Sequence, residues 1–344
     1  MDLSSEPRPQ RVLIVRLGAI GDVVNALTVA AALKDRDPGV HVGWLVHPLA
    51  RPLVEGNPAV DRVHVLPRKG MFAALRGLRK ELRGESYDLV IDLQRMLKSA
   101  VLARMAGAPR VLGYDRSRCK EGAWMLYKER IPKGPKRAHM VEQYAEFARY
   151  LGCAGPVRHP LPPIPPEVDA RAKQWLAPLG DQAPIAIHIG ASKPENRWIP
   201  ERYGDLIGTW RKQSSRGIVL TGGPGDRVDA ALALQRWEGQ PGFVDLVGRT
   251  DLHELMAVLS HCRAFVGCDT GPMHLAVALG QPVVALFGPA DPLRTGPFGE
   301  VHRVVRQPPA LVGAPLPPAE MKDVSVRDAA NALKKIAEEG DDPR

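Results

Sequence analysis

The sequence is poor in cysteine and in aromatic residues, and it has no long apolar run. Its four cysteines form no CxxC pair and have no metal-ligand spacing with histidine, which predicts reduced thiols in a cytosolic protein and no metal site. Aromatic residues make up only 5%, which argues against the stacking platforms of a nucleic-acid-binding surface. No apolar segment approaches the roughly 18 residues of a membrane span, and the acidic, proline-containing start does not resemble a signal peptide. Any membrane contact is therefore expected to be peripheral.

The composition is that of a globular protein with a basic excess. The 344 residues are enough for two domains of ordinary size, and 44% hydrophobic with 25% charged residues is typical of water-soluble proteins. A surplus of 47 Lys and Arg over 38 Asp and Glu gives a net charge of +9. That charge favours an anionic partner, such as a phosphorylated sugar, an anionic lipid head group or nucleic acid.

Short apolar segments alternate with helical segments along both halves of the chain. This alternation predicts an α/β fold with two Rossmann-like, doubly wound parallel-sheet domains. A proline-rich segment, GPVRHPLPPIPP, separates the halves and reads as a semi-rigid linker. The predicted organisation is a first domain over 1–154, a linker over 155–166, a second domain over 167–322, and a C-terminal helix and tail over 323–344.

The stretch 264–289, AFVGCDTGPMHLAVALGQPVVALFGP, reads as a strand, a turn, a helix that starts with Pro272, and a second strand. Asp269, Thr270 and Gly271 would lie where the strand's carboxyl end meets the helix N-terminus, which favours a bound phosphate or diphosphate. Two alternatives stay open. Asp269 or Thr270 could simply cap the helix, and His274 could be either a structural histidine or a ligand contact.

Two glycine-containing turns follow other predicted strands. The first, LGAIGD, lacks the GxGxxG spacing of dinucleotide enzymes, so a nicotinamide cofactor is not supported. Its Gly21 would allow close ligand approach, and Asp22 is either a helix N-cap or a carboxylate able to accept a proton. The second turn, TGGPGD, ends at Asp226, which could accept hydrogen bonds from ribose hydroxyls.

Together, LGAIGD, GASKPENRWIP, LTGGPGD and CDTGPMHLAVALGQPVVALFGP resemble glycosyltransferase family 9, the lipopolysaccharide heptosyltransferase family. The resemblance runs from about residue 11 to about residue 335, and DLQRMLKSA, GYDRSRCKEG and HMVEQY in the first half share it. It implies a GT-B architecture, with the acceptor on the first domain, the nucleotide sugar on the second, and chemistry in a cleft that the domains face. It also implies ADP-L-glycero-β-D-manno-heptose as donor, a Kdo or heptose residue of the lipopolysaccharide inner core as acceptor, inversion at the anomeric carbon, and no metal ion.

The resemblance also implies roles for individual residues. Asp22 matches the catalytic aspartate, and Asp226 lies where the family often has an acidic residue for the ribose. The donor-binding motif is matched by Asp269, Thr270, Gly271 and His274. One position departs from the family, because Asn196 stands where a lysine commonly neutralises the donor phosphates. Lys193 or Arg197 could take over that role.

The basic excess is expected near an anionic glycolipid acceptor. The candidate acceptor-binding residues are Gly21, Arg68, Lys69, Lys98 and Arg116, and Arg95 and Arg118 belong to the same basic group. The alternative is a solvated basic face with no ligand. The expected location is the cytoplasm, at the cytoplasmic face of the inner membrane, with contact through the acceptor.

Other functions fit parts of the pattern. The chain could be a glycosyltransferase for another nucleotide sugar, a non-hydrolysing epimerase, or a non-catalytic module that binds nucleotide sugars. An epimerase would turn over its nucleotide sugar without an acceptor. The presence of Asp22 together with an intact DTGPMH motif favours the enzyme over the binding module.

Overall fold

A computed structural model of the chain describes residues 9–67, 71–237 and 240–338. The chain divides into two compact units between Pro163 and Ile164, inside the proline-rich segment. The predicted acceptor candidates Arg68 and Lys69 lie outside the described residues. No helix in the described ranges is long and apolar enough to cross a membrane.

The first unit alternates strands and helices around one sheet. Its elements are β1 (Arg11–Val15), α1 (Ile20–Arg36), β2 (His41–Val46), β3 (Arg62–Val65), α2 (Met71–Gly84), β4 (Leu89–Asp92), α3 (Leu97–Met105), β5 (Arg110–Gly113), β6 (Glu129–Arg130) and α4 (Met140–Tyr150). The strand order is β3-β2-β1-β4-β5-β6, and neighbouring strands pair in parallel. Every residue of β4 is buried, as expected for a central strand with both faces covered.

The second unit repeats this plan. Its elements are α5 (Pro166–Leu176), β7 (Ile185–His188), α6 (Pro200–Arg211), β8 (Ile218–Thr221), α7 (Arg227–Leu234), β9 (Phe243–Asp245), α8 (Leu252–Ser260), β10 (Ala264–Cys268), α9 (Gly271–Ala278), β11 (Val283–Leu286), α10 (Pro292–Thr295), β12 (Arg303–Val305) and α11 (Val326–Glu338). The sheet order is β12-β11-β10-β7-β8-β9, again with parallel pairing. The apolar side of α11 packs into the core of this unit through Leu333 and Ile336.

The two-sheet α/β prediction is confirmed, with local corrections. The strands β5, β6 and β12 and the helix α5 were not predicted. The strand β6 has only two residues, and α5 starts inside a proline-rich stretch. Proline in the first helical turn is compatible with a helix, since its missing N–H would have no partner there. The predicted helix start at Pro272 was one residue too late, since α9 begins at Gly271.

Candidate active site

In each sheet the chain reverses its direction of winding at one point. The first sheet is built outward from β1 through β2 and β3, and then returns to place β4 on the other side of β1. Loops leave the carboxyl ends of adjacent strands in opposite directions there, which opens the crevice where ligands bind in such sheets. The two strand ends are tied together, because the Leu17 N–H donates to Gln94 Oε1 at 2.9 Å.

Asp22 lies at this crevice and does not serve as the helix N-cap. The N-cap of α1 is Ala19, and Asp22 is the third helical residue, so the N-cap alternative is wrong. Its carboxylate forms an ion pair with Arg16 and accepts a hydrogen bond from the Tyr144 hydroxyl at 3.4 Å. The side chain remains 36% exposed. Arg16 and Tyr144 thus hold the carboxylate in place, and part of it remains accessible to solvent.

The two partners of Asp22 come from different elements. Arg16 follows β1 and is buried, with Nη1 donating to the Leu93 carbonyl at 3.2 Å. Tyr144 lies on α4, and burial raises the pKa of its hydroxyl, so the group stays a neutral donor at physiological pH. A buried cation and a neutral donor therefore orient the carboxylate and stabilise its negative charge.

The basic residues at the same edge of the first sheet fall into two classes. Arg118 is buried and pairs with Asp115 and with Glu146, the latter at 2.7 Å, so it acts structurally. Arg95 lies over the Tyr114 ring at 5.0 Å. By contrast, the predicted acceptor residues Lys98, at the start of α3, and Arg116, after β5, are exposed. Both follow the carboxyl ends of strands, on the edge that carries Asp22.

Gly21 lies in the first turn of α1 and is buried next to Asp22 in the chain. Its position is compatible with close backbone approach to a ligand at this crevice. A role of Gly21, Lys98 or Arg116 in acceptor binding stays a prediction.

The second sheet has its reversal between β7 and β10. The DTGPMH motif begins directly after β10, with Asp269 and Thr270 at the strand end and Gly271 as the first residue of α9. Thr270 occupies the N-cap position but its side chain makes no capping hydrogen bond, because its hydroxyl donates instead to the Cys268 carbonyl at 3.3 Å. For Thr270 the capping alternative is wrong.

Asp269 and His274 lie together at the same helix end. Asp269 Oδ2 accepts a hydrogen bond from the Thr295 hydroxyl at 3.0 Å, and Oδ1 lies 3.9 Å from Nε2 of the buried His274. Thr295, which belongs to α10, was not predicted. The motif therefore presents a helix N-terminus flanked by an oriented carboxylate and an imidazole, an arrangement suited to a diphosphate and its sugar.

The loops after β7 and β8 meet at this edge as well. A side chain at Gly190 would come within 2.4 Å of the Asp226 carboxylate, and Gly190 has φ +103°, so both space and backbone require glycine. Asp226 Oδ2 accepts the Gly223 N–H at 2.8 Å, and Oδ1 pairs with Arg197 at 2.8 Å. Asp226 is therefore held in place beside the loop that carries the other candidates.

The two candidate phosphate cations differ in their surroundings. Arg197 is committed to carboxylates, because it also pairs with Asp229 at 2.8 Å. Lys193, four residues earlier, is exposed and forms no ion pair within the described ranges. Asn196 is buried between them in the chain. Of the two cations, Lys193 is the one whose charge is available.

His188 is a further residue at this edge that sequence reasoning missed. It ends β7, its Nδ1 lies 3.0 Å from the Thr221 hydroxyl, and its ring stacks on Phe265. Burial lowers the pKa of His188 to about 4, so the ring is neutral at physiological pH. In the described parts of the chain, no group of three His, Cys, Asp or Glu side chains is arranged to hold a metal ion.

The family model described as glycosyltransferase family 9 (heptosyltransferase) matches residues 75–311, more than half of the chain. This chain belongs to glycosyltransferase family 9. It is therefore a glycosyltransferase, as the sequence motifs predicted.

Related proteins extend this family 9 assignment over most of the chain. Lipopolysaccharide heptosyltransferase 1 of Pseudomonas aeruginosa is 30% identical over 85% of this chain and 83% of its own length. A family 9 glycosyltransferase from Veillonella parvula has a similar fold, with a TM-score of 0.83 at 22% identity over 96% of this chain and 98% of that one. The heptosyltransferase WaaC of Escherichia coli, solved with ADP-2-deoxy-2-fluoro heptose, is 27% identical with a TM-score of 0.72 over 96% and 99%. These similarities confirm the two-domain GT-B type of fold for the family 9 chain.

Proposed function

We propose that the protein transfers heptose from ADP-L-glycero-β-D-manno-heptose to the inner core of lipopolysaccharide, with inversion and without a metal ion. Support comes from relatives named as lipopolysaccharide heptosyltransferases and from a solved relative bound to an ADP-heptose analogue. The observation that carries the proposal within this chain is Asp22. Its carboxylate lies at the reversal point of the first sheet, does not cap its helix, and is oriented by Arg16 and Tyr144.

Asp22 would act as the general base. An acceptor hydroxyl attacks the anomeric carbon of the donor from the face opposite the diphosphate, and its proton passes to the Asp22 carboxylate. The bond between the anomeric carbon and the diphosphate oxygen breaks, and ADP leaves with that electron pair. The protonated Asp22 then returns its proton to water. Because the hydroxyl arrives and the diphosphate departs on opposite faces, the configuration inverts.

The leaving diphosphate acquires negative charge as this bond breaks. The N-terminus of α9 at Thr270 and Gly271 would stabilise it through backbone dipoles, and Lys193 would add a full positive charge. We assign this charge to Lys193 because Arg197 already pairs with two carboxylates. With a helix dipole and a lysine in place, no step requires a divalent cation. Asp226 would accept hydrogen bonds from the ribose hydroxyls. It would use the carboxylate lone pairs that are not engaged by the Gly223 N–H and Arg197.

The acceptor would bind at the basic edge of the first sheet. Lys98 and Arg116 would contact the phosphate and carboxylate groups of the glycolipid, as charge-assisted partners do. Arg68 and Lys69 are proposed for the same role from the sequence alone. Because the acceptor is a lipid, the enzyme would act at the cytoplasmic face of the inner membrane, in peripheral contact with it.

Calorimetric titration with ADP, UDP, GDP and dTDP, with and without Mg²⁺, tests the donor. We expect selective binding of ADP that Mg²⁺ does not change. Incubation with ADP-heptose and a truncated core acceptor in EDTA should then give a glycosylated product with inverted anomeric configuration by NMR. Preference for another nucleotide would assign a different donor. Turnover of the nucleotide sugar without acceptor would indicate an epimerase, and the absence of nucleotide binding would contradict the enzyme assignment.

A further inference from the structure

Exposed aliphatic side chains lie on α3 and on the short 3₁₀ turn beside it, Ala123–Leu126. Leu97 and Val101 are one helical turn apart and are 41% and 51% exposed, and Met125 in the 3₁₀ turn is 65% exposed. The turn packs against α3, and the Leu97 N–H donates to Glu121 Oε2 at 3.3 Å. These contacts hold the segment of Met125 beside the helix. We call Leu97, Val101 and Met125 the α3 surface.

The chain around the α3 surface carries much of the positive charge of the protein. Residues 95–130 contain nine Lys and Arg but three Asp and Glu, a net charge of +6 out of the +9 of the whole chain. The three acids are engaged within the same segment, because two pair with arginines and Glu121 accepts the Leu97 N–H. They therefore do not shield the remaining cations.

Four of these cations are exposed and have no ion-pair partner within the residues that the structure describes. They are Lys98, Arg104, Arg116 and Lys120. Lys98 and Arg104 lie on α3 itself, and the Lys120 backbone N–H donates to the Arg95 carbonyl at 2.9 Å, just before the helix. Aliphatic residues rimmed by unpaired cations are typical of a surface that binds an anionic bilayer.

We propose that the α3 surface docks this enzyme on an anionic membrane. Leu97, Val101 and Met125 enter the interface between head groups and acyl chains, and the neighbouring cations contact the anionic head groups. The proposal rests on the proposed function only in that a lipid acceptor requires the enzyme at a membrane. It goes further by naming the surface that makes the contact.

Two other occupants fit the α3 surface less well. A second copy of the chain placed symmetrically would bring identical basic surfaces together, and like charges repel. A nucleic acid would satisfy the cations but would leave three aliphatic side chains without a function, since bases stack on aromatic rings. An anionic bilayer accommodates both the charge and the apolar side chains.

Vesicle sedimentation with the full-length protein tests the proposal. We expect binding to vesicles of phosphatidylcholine with phosphatidylglycerol, weak binding to phosphatidylcholine alone, and weakening by salt. The triple variant L97S/V101S/M125S should reduce partitioning by more than about tenfold. The double variant R104Q/K120Q should reduce it by about tenfold or more at low salt, because each cation near an anionic surface contributes roughly fivefold.

Matched controls come from the second unit. Val228 and Leu232 on α7 are 73% and 44% exposed, so V228S/L232S removes exposed apolar side chains that do not belong to the α3 surface. Lys212 and Arg327 are exposed, so K212Q/R327Q removes the same charge. Both controls should bind vesicles like the wild type. Circular dichroism and the thermal midpoint verify that each variant is folded.

The outcomes separate this proposal from the proposed function. L97S/V101S/M125S and R104Q/K120Q should lose vesicle binding but keep wild-type activity on a soluble, deacylated core acceptor. That result would support docking through the α3 surface. Vesicle binding can be scored even if no heptose is transferred. The proposal is overturned if the wild-type protein does not bind the vesicles. It is also overturned if L97S/V101S/M125S and R104Q/K120Q both bind them as tightly as the wild type does. It is also overturned if an oligonucleotide binds this surface more tightly than anionic vesicles at the same salt.

Discussion

Replacing Asp22 with asparagine separates its chemical role from its structural one. Asparagine keeps an oxygen that can accept from Arg16 and Tyr144, so the local geometry should persist, but it cannot take a proton. A general base contributes about 10²- to 10⁴-fold, so kcat/KM should fall by an amount corresponding to roughly 3 to 5 kcal/mol of transition-state stabilisation. Affinity for ADP should stay nearly unchanged, because the nucleotide would bind to the other sheet.

The same substitution has a separate effect on stability that can be estimated from the structure. Arg16 is buried, so loss of its negative partner leaves a poorly compensated charge, which costs about 3 to 5 kcal/mol for fully buried pairs. Because the Asp22 side chain is 36% exposed, water partly replaces the lost carboxylate and we expect about 1 to 2 kcal/mol.

Steady-state kinetics with ADP-heptose and a truncated acceptor, calorimetry with ADP, and a thermal melt measure the three quantities independently. A folded Asp22→Asn protein with wild-type turnover would refute the assignment of the base. A fall in activity matched by an equal loss of ADP affinity would instead place Asp22 in donor binding.

Three further results are expected. Tyr144→Phe removes one hydrogen bond to Asp22 but no base, so kcat should fall by about 2- to 10-fold; a loss as large as that of Asp22→Asn would show that Tyr144 itself takes part in the chemistry. Lys193→Ala should weaken ADP binding by about 10- to 100-fold in calorimetry, whereas Arg197→Ala should mainly lower the thermal midpoint, and the reverse result would reassign the phosphate cation. The lowered pKa of His188, about 4, means that the unfolded chain binds more protons between pH 6.5 and 4, so stability should fall on acidification through that range, by roughly 1 kcal/mol at pH 5.5 from this residue. The urea midpoint of His188→Gln should therefore drop less than that of the wild type between pH 7.5 and pH 5.5, and an equal drop would contradict the burial argument.

Much of the fold could be predicted because both sheets are parallel and buried. Strands such as β4 and β10 read as short apolar runs, and the turns after them contain the glycines and acids of the site. The missed elements are those without such a signal. β6 has two residues, and its pairing with β5 depends on the sheet that is already formed. Local sequence cannot indicate a strand whose only support is its neighbour.

The candidate site could be located where a motif marks it and not where the fold assembles it. The turns that carry Asp22 and Asp269 predicted that both residues follow the carboxyl ends of strands, as the structure shows. The partners Tyr144 and Thr295 come from distant helices, 122 and 26 residues away in sequence, and only the packing of those helices brings them near. HMVEQY contains Tyr144, but nothing in one sequence states what its hydroxyl contacts. The ion pairs of Arg197 with two carboxylates likewise could not be predicted from the sequence.

Each sheet is complete within its own unit, and the division between the units falls in the proline-rich segment. Within the described residues, no two strands from different units pair with each other. Joining either half to the corresponding half of another protein would therefore break no hydrogen bonds between strands. The half proposed to recognise the glycolipid and the half proposed to recognise the nucleotide sugar therefore each contain a complete sheet of their own. Acceptor preference could diverge in evolution, or be exchanged in a chimaera, while the donor half stays intact.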